Sequence, residues 1–356
     1  MKKINSISWL RCFAIIMIVY DHIIAMRNPN WVVNKIINGM LCEPLNIIQN
    51  FGAFGVSLFL LISGFLMIIT NENCDKCGKK IFKKILKIYL SLIFAFLGFA
   101  VVQFIVNVFV PTYWKQFSAK DWIYSATLIG YFNGRGDVIN GTTWFLIPLF
   151  VFYVLSIVIL KGIRKKGFGR TIILTESIMC FLFVGLCYLQ HKIGYILIVQ
   201  YFPFVFIPLT GVIIAGVYKS QLKMSYAFGA FICNYILFVL AIYKMNMQYY
   251  AESPYIVSYI YALALFIICL LTEKYFKKNL IINFCDRIGL PIYLLHMTWG
   301  GFLMSCLENI LPYIVAVVLS IMIIILLSIF HCKFIDEFLV YKLIEKQYIN
   351  NKGQCH

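Results

Sequence analysis

A polytopic, all-α membrane protein is the fold class this sequence predicts, on three observations. Of its 356 residues, 62% are hydrophobic and only 13% are charged, whereas soluble domains are roughly 45–50% apolar. Apolar runs near the roughly 20 residues needed to cross a bilayer recur along the whole chain. The 31 Lys and Arg gather between alternate runs. The net charge of +17 is therefore explained by topology without a nucleic-acid partner.

The runs follow in order. The first, 9–26, is preceded by too short a charged flank for a cleavable signal peptide, and no small-residue cleavage site follows it. With Arg11 inside the apolar region, it is expected to be retained as a helix. The second, 47–69, leads to a basic segment. On a helix, Lys79, Lys80, Lys83, Lys84 and Lys87 fall within an arc of about 140°, with Ile81, Phe82, Ile85, Leu86 and Ile88 on the other side. This predicts an interfacial amphipathic helix entering the third run, 88–110. The stretch 111–143 is the longest hydrophilic one, with Trp114, Trp122 and the turn-rich Asn133-Gly134-Arg135-Gly136-Asp137.

Runs at 144–160, 172–188, 196–217, 227–242, 255–272, 288–306 and 313–330 complete about ten spans. Basic clusters at 161–170, 219–223, 274–287 and 333–352 separate them at alternate gaps. With the N-terminus inside, 24 of the 31 basic residues face inward, leaving only Arg27, Lys35, Lys115, Lys120, Arg135, Lys192 and Lys244 outside. Both termini are thus expected in the cytoplasm of a multi-pass plasma-membrane protein. Residues 1–335 are expected to form the membrane domain and 336–356 a short basic tail. Glu176 and Pro148 read as a helix-bundle polar contact and a kink.

Twelve cysteines lie mostly singly in apolar runs, so no disulfide framework is expected. Cys74-Asp75-Lys76-Cys77 has no second pair at zinc-ligand spacing, and no metal site is expected.

Arg11 and His22 are the informative pair. Eleven residues return a helix to within about 20° of the same face and advance it about 16 Å. A cation near the membrane surface and an imidazole near mid-bilayer then share one face, where ionisable groups are costly and are functional hypotheses by default. Snorkelling of Arg11 to phosphates and a simple helix–helix hydrogen bond for His22 explain the same spacing. Likewise, the lysine stripe suits either anionic lipid or a phosphorylated cytosolic substrate. Asp21 is about 100° from His22 on the helix, a poor geometry for a carboxylate–imidazole pair.

Four segments in order resemble the acyltransferase-3 family of integral-membrane acyltransferases. Arg11 to His22 matches its R-x10-H signature, and Val56-Ser57-Leu58-Phe59-Leu60-Leu61-Ile62-Ser63-Gly64-Phe65 its second-helix motif. Thr143-Trp144-Phe145-Leu146 resembles its WFL element, and Ile292-Tyr293-Leu294-Leu295-His296 its YLLH element. Ser57, Leu60 and Leu290-Pro291 depart from residues common in the family. The resemblance implies transfer of an acyl group, usually acetyl, from cytosolic acyl-CoA to a hydroxyl of a glycan or lipid-linked glycan of the cell envelope. No permanently bound cofactor is implied. His22 is then the base or acyl-carrying nucleophile, with Arg11 catalytic beside it and holding a CoA phosphate or carbonyl. Lys79, Lys80, Lys83, Lys84 and Ser63 are expected on the donor, and Asp21, Trp144, Tyr293 and His296 near the acceptor. For His296 a helix-packing role is equally open. The chain is expected to act as a stand-alone membrane domain among membrane lipids. A transporter or exporter of an envelope precursor or small metabolite is the alternative, since such proteins also carry intramembrane Arg, Asp and His.

Overall fold

The computed structural model describes residues 4–44, 51–71, 76–109, 117–194, 197–245, 252–340, 342 and 344. Cys74 and Trp114 lie outside them. Among the described residues the regular structure is entirely helical. Of the described residues, nine helices are long and apolar enough to cross a membrane, and Tyr255–Leu271 is a shorter apolar helix where the eighth run was expected.

Helix α1 (Asn5–Ala25) ends in a π-helical turn, Tyr20–Ala25, and is followed by the short α2 (Val32–Cys42). Helices α3 (Phe51–Asn71), α4 (Cys77–Phe109) and α5 (Ala119–Thr127) come next. Then follow α6 (Leu146–Lys166), α7 (Phe168–Ile193), α8 (Phe206–Tyr218) behind a 3₁₀ turn, α9 (Met224–Lys244) and α10 (Glu252–Leu271). Helix α11 (Leu280–Leu307) and α12 (Tyr313–Phe330) close the bundle, and a π-helical segment, His331–Val340, continues α12.

Helices α3 and α8 form the buried centre, whereas most of α7 and α12 faces outward. Lipid tails are as apolar as leucine, so helices associate by close packing, for which small residues are needed. Gly64 of α3 and Gly211 of α8 meet backbone to backbone. A Cβ on Gly64 would overlap the Pro208 carbonyl, and one on Gly211 the Leu61 carbonyl. Gly55 admits Ala14 and Ile18 of α1 in the same way.

The predicted amphipathic helix forms the first turns of α4 and runs without a break into the third span. Nothing between Lys79 and Ile88 breaks helical backbone, and 33 residues extend about 50 Å, well beyond a hydrocarbon core of about 30 Å. The lysine-bearing turns therefore project past the membrane surface. The expected 335/336 domain boundary falls inside the π-helical segment. There Asp336 and Val340 are buried and Arg287 of α11 pairs with Glu337 at 2.5 Å.

Helices α1 and α11 lie side by side and parallel. Arg11 meets Asp286, Ile15 meets Gly289, His22 meets His296, and Arg27 meets Gly301, each separated by 274 or 275 residues. Parallel neighbours require an odd number of crossings between them. Seven helices, α3, α4 and α6 to α10, supply it only if α10 also crosses, which supports ten spans. Reporter fusions after Arg170 and after Asn140 should accordingly appear on opposite sides of the membrane, the former in the cytoplasm. The same side for both would overturn this topology.

Candidate active site

The α1–α11 seam carries polar groups at three levels. At its first level, the N–H groups that open α1 are satisfied by Glu273, which accepts from Asn5 at 2.7 Å and Ser6 at 3.0 Å. One turn further, Arg11 Nη1 donates to Asp286 Oδ1 at 3.0 Å, and Ser8 Oγ donates to Asp286 Oδ2 at 2.8 Å. Asp286 thus supplies the counter-charge that sequence reading had not assigned. Its partners lie 275 and 278 positions away, beyond any local signal. The third level is at the other end, where Arg27 donates to Ser305 Oγ at 3.0 Å and Glu308 Oε1 at 3.1 Å.

Between these anchors sit two imidazoles, His22 and His296, with ring centroids 5.3 Å apart and planes inclined by 35°. His296 is fully buried and His22 partly so. The Tyr293 carbonyl, 2.7 Å from His296 Nδ1, can only accept, so Nδ1 carries the proton and Nε2 presents a lone pair. That buried Nε2 has no hydrogen-bond partner among the described residues. His22 Nδ1 lies 3.2 Å from the Met26 thioether, an acceptor as well, so Nδ1 carries the proton and His22 Nε2 also presents a lone pair. His22 occupies the π-helical turn of α1, a departure from α-helix often found at functional sites. It is about 25 Å from Asn5 and only about 5 Å from Ala25 along the helix, beyond the mid-depth expected.

The turn of α11 that carries His296 is held by the connection before α6. Asp137 accepts from the N–H groups of Ile139 at 3.0 Å and Asn140 at 2.9 Å, and from the Thr143 hydroxyl. Asn140 Nδ2 then donates to the Leu294 carbonyl at 3.0 Å, and the Tyr293 hydroxyl donates to the Thr142 carbonyl. All these groups are buried, and in the sequence Asp137 reads only as a turn residue.

The other predicted site residues separate into neighbours and outliers. Asp21 is buried and bonded to the backbone of Phe51 and Gly52, so it caps the start of α3 and does not pair with His22. Trp144 stacks on Tyr201 at 5.6 Å and packs on Phe204 at 4.8 Å. Its neighbour Phe145 is the residue that reaches Tyr293, at 5.2 Å, and Phe59, at 6.3 Å. Ser63 is half-buried beside the Gly64 crossing. Glu176, expected as a helix–helix contact, keeps a buried Oε1 without a partner.

On the side where α1 begins, a cavity of about 370 Å³ opens between the end of α3, the start of α4 and the segment after α12. Lys80, Lys83, Lys84 and Lys87 line it together with Asn71 and Asp336; Lys79 does not. Lys80 Nζ donates to the Thr70 carbonyl at 3.1 Å, and Lys84 Nζ lies 4.6 Å from the Tyr153 ring. Between this end and the histidines the seam is closed. Ile15 fills the space over Gly289, and the gap among Ile18, Phe59, Ile292 and Tyr293 has no room for a water molecule.

A family model described as an acyltransferase domain matches residues 4–332, nearly the whole chain. The chain belongs to the acyltransferase-3 family. No curated protein and no solved structure gave a match. Membership makes the protein a membrane acyltransferase. The matched region takes in all four acyltransferase-3 segments, and the first and last of them, in α1 and α11, are the two that meet in the histidine pair.

Proposed function

We propose that this acyltransferase moves an acetyl or other short acyl group from cytosolic acyl-CoA to a hydroxyl of a cell-surface polysaccharide or related envelope acceptor, with His22 as the general base. The observation that carries this reading is the juxtaposition of His22 and His296, each offering an Nε2 lone pair. Attack of an acceptor hydroxyl on a thioester requires a group that takes the hydroxyl proton as the C–O bond forms. His22 Nε2 takes it; the C–S bond then breaks, and the imidazolium returns the proton to the leaving thiolate. A neutral imidazole suits both transfers near neutral pH. The acceptor arrives from the end of the seam nearest Ala25, and the donor from the end nearest Asn5.

Arg11 and the cavity lined by Lys80, Lys83, Lys84 and Lys87 serve the donor's phosphates. Because Arg11 lies about 16 Å along α1 from His22, the donor's arm has to enter the closed seam, parting Ile15 from Gly289. Purified protein should release free thiol from acetyl-CoA in the presence of envelope glycan, and not with either alone. Absence of thiol release with folded, monodisperse protein would favour transport of an envelope precursor instead.

The lysines give a sharper donor test. Replacing Lys80, Lys83, Lys84 and Lys87 with Gln should raise the apparent KM for acyl-CoA about tenfold or more and reduce its salt dependence. Lys79→Gln, beside Lys80 but outside the cavity lining, should leave KM unchanged. Equal effects of the two would return the stripe to lipid anchoring.

A further inference from the structure

A second, larger cavity of about 610 Å³ lies between α7 and α9, away from the histidine seam. Both helices expose large apolar side chains along their length, including Ile173, Leu174, Phe181, Phe228 and Ile232, so this is a lipid-facing groove. It exists because Gly169 and Gly229 line it without side chains; a Cβ on Gly229 would meet nothing within 4 Å. Arg170 and Lys223 stand at its mouth, at the start of α7 and at the residue preceding α9. Six residues further along α7, about 9 Å deeper, Glu176 lines the groove, with its Oε1 buried and unpartnered.

We propose that this groove binds an anionic glycerophospholipid from the cytoplasmic leaflet. Charge complementarity selects the occupant. Two cations at headgroup level hold the phosphate, while side chains on α7 lean toward its N-terminus and bring the Glu176 carboxyl up to the glycerol-ester level. There, as the acid, it donates a hydrogen bond to an ester carbonyl. A buried polar atom facing hydrocarbon costs free energy unless such a partner is supplied. The acyl chains continue down the groove over Gly229 and Ala230. A free phosphate would satisfy the cations and leave Glu176 without a partner.

The test is thermal unfolding of the purified full chain in mild detergent. Phosphatidylglycerol should raise the midpoint by about 3 °C or more; phosphatidylcholine of the same chain length should raise it much less, and inorganic phosphate not at all. Arg170→Gln with Lys223→Gln should remove the phosphatidylglycerol increment, and so should Gly229→Leu, which fills the groove from a position where an added Cβ meets nothing within 4 Å. Lys165→Gln with Lys166→Gln, an equal charge change outside the groove, should retain it. Equal stabilisation by both lipids, an effect of phosphate alone, or an increment preserved in Gly229→Leu would each overturn the proposal.

Discussion

His22→Ala should lower acyl transfer by roughly the 10²–10⁴ that a general base contributes, while the protein accumulates at normal levels. The expectation of intact folding comes from the contacts of its turn. Asp21 caps α3, Ile23 packs against Gly300, and Arg27 is clamped by Ser305 and Glu308. Among the described residues, His22 itself makes a polar contact only with the Met26 thioether. His296→Ala should also reduce transfer, and the double substitution should cost less than the product of the two single losses, because residues acting as a unit are not additive. Arg11→Lys should fail substantially too, since a point charge on a flexible stem cannot satisfy Asp286 and a donor group with the geometry of a planar fork. The measurement is transfer of labelled acetyl from acetyl-CoA to envelope material in membranes with matched protein levels. A wild-type rate in His22→Ala would reject the enzymatic role and bring transport to the front.

The bundle was legible in the sequence because the bilayer imposes a single length and polarity on every span, and basic residues mark the alternate gaps. What composition cannot see is pairing between distant helices. Nothing local to Arg11 announces Asp286, and nothing local to Asn5 announces that Glu273 will cap it. The histidine pair was half visible: the two motifs were read separately, and their meeting depends on α1 and α11 running parallel. The polar knot of Asp137, Asn140 and Thr143 was opaque for a similar reason. Turn-rich sequence says where a chain bends and not which helix the bend will grip. Motif matches also leave the surroundings of individual side chains unstated. In the WFL element Phe145 packs on Tyr293 while Trp144 stacks on Tyr201. In the second-helix motif Ser63 drew attention as a donor contact, whereas Gly64 beside it has the clearer physical task.

That task makes the crossing of α3 and α8 the point where a single added methyl should do most damage to the fold. Gly64→Ala places a Cβ on the Pro208 carbonyl, and Gly211→Ala places one on the Leu61 carbonyl and the Phe65 amide. The obstacles are backbone atoms, so no rotamer change relieves them and the two helices have to move apart. Overpacking of a buried core typically costs about 1–3 kcal/mol even where side chains can adjust. A backbone collision at the most buried pair of helices should therefore cost about 3 kcal/mol or more. Each substitution should sharply reduce the fraction that stays monodisperse after heating in mild detergent. One separation of the helices relieves both collisions, so the double substitution should be less damaging than the sum of the singles. Gly98→Ala and Gly185→Ala, where an added Cβ meets nothing within 4 Å, should behave as wild type. Gly64→Ala protein as heat-resistant as Gly98→Ala would show that α3 and α8 do not meet at these glycines. It would also reopen Ser63 as the functional residue of its motif, because the face of α3 next to it would then be free to receive a ligand.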